Sequence, residues 1–233
     1  MSKKIVSIFM SLIVAVSIVG CGKITDGNSS NKKTTNSTES VDNTVTDKSS
    51  EGKWAKDYTL DETKKLYEEK LSKIKKITEE LGVKYSCDEV IKKEDNKTIT
   101  DNSIYFDNKN PENNKIESMY YGLKIYGDNL EEGVISLKLT LKFDSEQAVK
   151  NNDLDLGRTS LAKYISAFTG EDNRDYSGIN KEILEKLSNG DAEVNINNTI
   201  DGLNEEIIAS KDCIFYKLST KKYKFADAEM SMK

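Results

Sequence analysis

The sequence predicts an α+β fold: an antiparallel sheet, or sheets, built from hairpins, with about three helices on one face. Three observations carry that expectation. Residues Ile135, Leu137, Leu139, Leu141 and Phe143 alternate with Ser136, Lys138, Thr140 and Lys142, the period of two of a strand with one buried and one wet face. From Leu60 to Leu81 the apolar residues instead recur every 3.6 positions, the stripe of a helix. Hairpin-like strand pairs are separated by helices, without the strand–helix–strand alternation of a parallel sheet.

Taken in chain order, the first segment is an address. Lys3 and Lys4 precede an uncharged stretch, Ile5 to Val19. Fifteen helical residues span about 22 Å, short of a hydrocarbon core of roughly 30 Å. Length and basic flank fit a secretory signal better than a spanning helix. Ile18-Val19-Gly20-Cys21 then resembles the lipobox of bacterial lipoproteins. The resemblance covers residues 1–21 only. It implies cleavage between Gly20 and Cys21, a diacylglycerol thioether on Cys21, and residence at the outer face of the cytoplasmic membrane. Two acyl chains suffice for stable attachment where one does not. Lysine far outnumbers arginine, which occurs only at positions 158 and 174, a composition that leans toward a Gram-positive host.

Residues 22–52 hold Ser, Thr, Asn, Asp and Lys, with Ile24, Val41 and Val45 as the only aliphatics. Such a segment cannot offset its ordering entropy and is expected to be a disordered tether, roughly 30 Å in root-mean-square span. The domain organisation is therefore a signal peptide at 1–20, lipidated Cys21 with a tether to 52, and an extracytoplasmic domain at 53–233.

Within that domain, Thr59 and Glu62 form a capping-box pattern. The stripe Leu60, Tyr67, Leu71, Ile74, Thr78 and Leu81 follows, and Gly82 suits the left-handed C-terminal position. Strands are expected at 84–91, 98–106, 116–127 and 133–143, helices at 154–169 and 179–188, and a second hairpin from 192–200 and 206–219, with a short strand at 222–226. The turn sequence 128–135 echoes 201–208. Two readings stay open: a tandem α-β-β duplication, or one turn chemistry used twice.

Composition excludes several chemistries. The chain has no histidine, so His-based triads, His general bases and His metal ligands are ruled out. A net charge of −5 gives no basic field for nucleic acid. There is no GxSxG or P-loop pattern. Asn151, Asp153 and Asp155 have EF-hand spacing, but Gly157 comes one position late. The loop 170–178 gathers Glu171, Asp172 and Asp175 around Arg174, whose charge argues against a cation, and reads as a solvated helix–helix connection. No metal and no cofactor is expected.

Cys87 and Cys213 remain after Cys21 is lipidated. They form a disulfide, which an extracytoplasmic location permits, or stay as two separate thiols. Tyr120, Lys124 and Tyr126 share the strand face opposite Met119, Tyr121, Leu123 and Ile125, and are the candidate recognition residues. The function expected is non-catalytic: binding a protein, small-molecule or glycan partner, or supporting an envelope assembly. The alternatives are a solute-binding lipoprotein of a transporter and a carboxylate-dependent glycan hydrolase.

Overall fold

The computed structural model describes residues 51–94 and 97–225. The signal peptide, Cys21 and nearly all of the expected tether lie outside them.

Eight strands form one sheet: β1 (Ser86–Glu94), β2 (Lys97–Asp107), β3 (Ile116–Tyr126), β4 (Glu132–Lys142), β5 (Glu193–Ile200), β6 (Leu203–Ser210), β7 (Cys213–Ser219) and β8 (Tyr223–Lys224). Their order across the sheet is β1-β2-β3-β4-β7-β6-β5, with β8 also paired to β4, and every pairing is antiparallel. The helices are α1 (Leu60–Glu80), α2 (Ser145–Asn151), α3 (Ser160–Thr169) and α4 (Ser177–Ser188). The fold is α+β.

α1 begins where the capping box places it. Thr59 Oγ1 accepts from the Glu62 N–H at 3.3 Å, and Glu62 Oε2 accepts from the Thr59 N–H at 2.9 Å. The bond from its own turn holds the Glu62 carboxyl below the usual carboxylate range. At the other end Gly82 adopts φ +68°. The buried stripe differs from the one expected. Thr63, Tyr67, Lys70, Ile74 and Thr78 point inward, while Leu81 is exposed beyond the last packed turn. Lys70 is buried with its ammonium paired to Glu69 at 3.3 Å and close to Gly170 at the C-terminal end of α3. Lys53 Nζ donates to the Thr169 carbonyl there at 2.8 Å. Both cations complement the helix's negative end.

The core lies between the helices and one sheet face. Tyr121 stacks on Tyr67 of α1 at 5.1 Å and meets Phe168 of α3 edge-on at 5.8 Å. Phe168 in turn stacks on Trp54 at 5.1 Å. Ile104, Tyr121, Leu137 and Leu218 lie side by side across four strands of this face.

Two elements depart from expectation. The single strand anticipated at 206–219 is a hairpin, β6 and β7, turned at Lys211-Asp212. Leu203, Ile207 and Ala209 are buried at odd positions, but Ile214, Tyr216 and Leu218 at even ones. A straight strand would split these rows between two faces; the turn restores them to one. The helix anticipated at 154–169 starts only at Ser160. Before it come a single 3-10 turn, Leu156–Arg158, and the separate helix α2, capped by Asp144 Oδ1 accepting from the Gln147 N–H at 3.0 Å.

The internal echo stops at sequence. Its first copy lies in a five-residue loop between Tyr126 and Glu132, its second in a two-residue Asp201-Gly202 turn with φ +49° and +86°. The aligned Val134 and Ile207 even face opposite sides of the sheet. The two copies thus sit in turns of different length and geometry.

Replacing Thr59 by Ala removes the cap and is expected to lower stability by about 1 kcal/mol in denaturant titration. Glu62→Gln, which keeps a hydrogen-bond acceptor, is expected to cost less.

Candidate functional site

Among the described residues the helices cover one face of the sheet only, and the candidate recognition residues lie on the other. Tyr120, Lys124 and Tyr126 share this uncovered face, each half-buried. They are not free aromatics on an open surface. The Tyr120 ring lies across Gly122, where an added Cβ would sit 2.3 Å from the Tyr120 hydroxyl. That hydroxyl donates to Asp101 Oδ1 at 2.7 Å, and Lys124 Nζ lies 3.6 Å from Asp101 Oδ2. Burial, reinforced by Asp101, raises the Tyr120 pKa far above its ordinary value. Tyr126 is covered by Lys222, whose ammonium is 4.9 Å from the ring and 3.1 Å from Glu132.

The structure adds residues that sequence did not single out. One row runs Tyr105, Tyr120, Lys138, Lys217 and Glu206 across five strands. Lys217 pairs with Glu206 at 2.9 Å. Lys138, between Tyr120 and Lys217, sits 5.3 Å over the Tyr120 ring and is in no ion pair among the described residues. Burial lowers its pKa, and the neighbouring Lys124 and Lys217 lower it further. Beside this row Phe215 and Ile208 form an apolar cross-strand pair, also half-buried. The period of two places these residues on one face, but only the order of strands reveals that they are neighbours.

A second feature was missed entirely. Arg174 does not stay in a solvated loop. It reaches Glu205 on β6 through a two-pronged bond, Nη1 to Oε1 at 2.5 Å and Nη2 to Oε2 at 2.8 Å. Glu205 is fully buried on the helix-covered face, and it also accepts from the Tyr216 hydroxyl and from Asn198 Nδ2 at 3.1 Å. Burial opposes the Arg174 charge, yet the bonds to Glu205 more than offset it and raise its pKa. Arg174 also stacks 5.0 Å from the ring of Tyr176, whose own pKa burial pushes up to about 12. The available signal was composition. In a lysine-rich chain, one of two arginines lies in this loop, and only guanidinium offers a planar fork to a buried carboxylate.

Arg174 and Tyr176 form one wall of a cleft of about 810 Å³, which Leu154, Asp155, Asn180 and Leu184 help to line. The size suits a small molecule. The acids of the neighbouring loop have local partners: Asp172 accepts from Ser166 Oγ at 2.6 Å, and Asp175 from the Ser177 N–H at 2.8 Å. Among the described residues no cluster of three or more acidic or cysteine side chains could hold a metal ion. No described helix is long and apolar enough to cross a membrane.

Of the two readings of Cys87 and Cys213, the structure has the separate thiols. Cys87 lies on β1, and Cys213 begins β7, four strands away in the sheet. At about 4.8 Å per strand the gap approaches 19 Å, far beyond disulfide reach.

Glu205→Ala leaves a buried guanidinium without its carboxylate. The expected loss is roughly 3–5 kcal/mol in chemical denaturation. The double variant Arg174→Met with Glu205→Leu is expected to recover most of it, because it removes both charges together.

No protein-family model, curated protein or solved structure matches this chain.

Proposed function

We propose that this protein is a lipid-anchored extracytoplasmic binding protein without catalytic activity, which holds an envelope protein against the uncovered face of its sheet. The lipobox-like run ending at Cys21 supports the anchor. One observation carries the binding role: Lys138 sits at the centre of the face the helices leave open, half-buried, beside Tyr120 and without a carboxylate partner among the described residues. An ammonium kept there against burial and two neighbouring lysines suits a partner that brings an acidic group. Tyr120 and the Phe215–Ile208 pair offer apolar area around it.

A second reading rests on the cleft beside Arg174 and Tyr176. Its volume and mixed lining favour a small polar solute, as a transporter's binding protein would take. A solute that fills it raises the melting temperature.

The test of the first reading is mild cross-linking on intact cells, followed by purification of the full chain. A recurrent protein partner is expected. It should be lost with Lys138→Met. Equal recovery with the variant overturns the reading.

The same substitution has a signed effect on stability. Because the folded-state pKa of Lys138 is lowered, the unfolded chain binds more protons between the two pKa values. Stability therefore rises with pH through that window, and the charge is unfavourable at neutral pH. Lys138→Met is expected to raise the melting midpoint at pH 7, with a gain that shrinks as alkaline pH neutralises the natural amine.

Cys21→Ala is expected to release the protein from membranes or leave it as uncleaved precursor, read by fractionation and lipid labelling. Unchanged labelling overturns the anchor.

A further inference from the structure

β1 is an edge of the sheet, bonded to β2 on one side and to no described strand on the other. Eight of its nine residues are exposed, including Val90 at 48% and Ile91 at 68%. It has the features that edges usually lack. Nine consecutive pairs with β2 run without a bulge, and it contains no proline. The opposite edge is different: β5 buries Val194 and Ile196, and α4 packs on it.

The order of charges along β1 selects an occupant. Asp88 and Glu89 precede Val90 and Ile91, and Lys92 and Lys93 follow. A parallel copy would set acid on acid and base on base. An antiparallel copy sets acid on base. We propose that β1 is a homodimer edge, where a second copy of this chain adds its own β1 antiparallel about a two-fold axis through Val90.

Symmetry and charge together fix the register. A two-fold axis perpendicular to a sheet keeps each residue and its mate on the same face. Side chains alternate between faces, so the axis must pass through a residue pair and not between pairs. With the axis at Val90, the centre of the strand, all nine residues pair. Val90 meets Val90, flanked on the same face by two Asp88–Lys92 pairs. On the other face Ile91 meets Glu89, and Cys87 meets Lys93. An axis at Ile91 would set Asp88 against Glu94, and one at Glu89 would oppose two glutamates. The Val90 register alone of these three sets no like charges opposite each other. It requires neither the lipid anchor nor the partner of the uncovered face.

The test uses the full chain in detergent micelles, with Cys21→Ser, Cys87→Ser and Cys213→Ser as the parent, so that no natural thiol remains. Across the proposed axis the two Val90 Cα atoms lie about 4.5–5.5 Å apart, within disulfide range. Adding Val90→Cys is expected to give a disulfide-linked dimer under mild oxidation, while the parent stays unlinked. Natural Cys87 is offset from its own mate by six positions, about 20 Å along the strands, so the chain without substitutions gives no Cys87 link.

Adding Asp88→Lys to the Val90→Cys chain opposes two ammonium groups on each side of the axis. It also removes the bond that Tyr105 Oη donates to Asp88 at 2.6 Å. Cross-linking is expected to slow at least tenfold, and Lys92→Asp added to it should restore the rate. Restoration separates charge pairing from damage to the strand. Absence of linkage in a folded Val90→Cys chain, faster linkage through Ile91→Cys, or no rescue by the charge swap overturns the proposal.

Discussion

The constraint on which this structure depends is that its helices cover one side of the sheet and leave the other. The core rows that face the helices must then keep a single parity along each strand, and every turn must preserve it. β3 and β4 do so with Met119, Tyr121, Leu123 and Ile125 against Ile135, Leu137, Leu139 and Leu141. The helix-facing row of β6 is Leu203, Glu205, Ile207 and Ala209, and its one polar member, Glu205, lies in line with Leu218, Leu137 and Tyr121. A carboxylate there must be paired. Arg174 supplies the pair, and in reaching inward it brings the start of α4 down with Tyr176. The cleft beside α4 is thus bounded by the answer to a polar residue in an apolar row.

Much of the fold was legible because local signals agreed. Thr59 and Glu62 marked the start of α1, Gly82 its end, and the clean alternation of β4 its buried face. What was not legible needed long-range facts. Lys211-Asp212 carries no glycine or proline, so the β6–β7 turn showed only as a change of parity between Ala209 and Ile214. Lys70 belongs to the buried stripe with its ammonium near the end of α3, a neighbour that no reading of α1 alone can reveal. Tyr120, Lys124 and Tyr126 were correctly assigned to one face. Their engagement with Asp101 and Lys222 depends on the neighbouring strand and on a segment about a hundred residues away.

The uncovered face is organised around missing bulk. Ser103, Gly122, Ser136 and Ser219 lie next to one another across β2, β3, β4 and β7, a row of small residues in the middle of the sheet. Tyr120 folds into the space above Gly122 and reaches Asp101. That fixes the ring flat beneath Lys138 instead of upright in solvent. A flat, hydrogen-bonded aromatic loses little entropy when another surface settles on it. Preorganisation of this kind favours the binding reading over one in which these tyrosines serve only as strand formers.

The described chain begins far from its free edge. Lys53 N–H donates to Asp201 Oδ1 at 2.9 Å, and Trp54 N–H to the Asp201 carbonyl at 3.1 Å. Gly52 and Gly202 make that approach feasible, since a Cβ on either would meet the facing backbone at 2.5 Å or less. Asp201 lies in the β5–β6 turn, and β5 is six strand spacings from β1, about 29 Å. The sheet therefore uses its β5 end to fasten the incoming chain and to pack α4. The β1 end carries neither duty, and its backbone edge stays open to a second molecule.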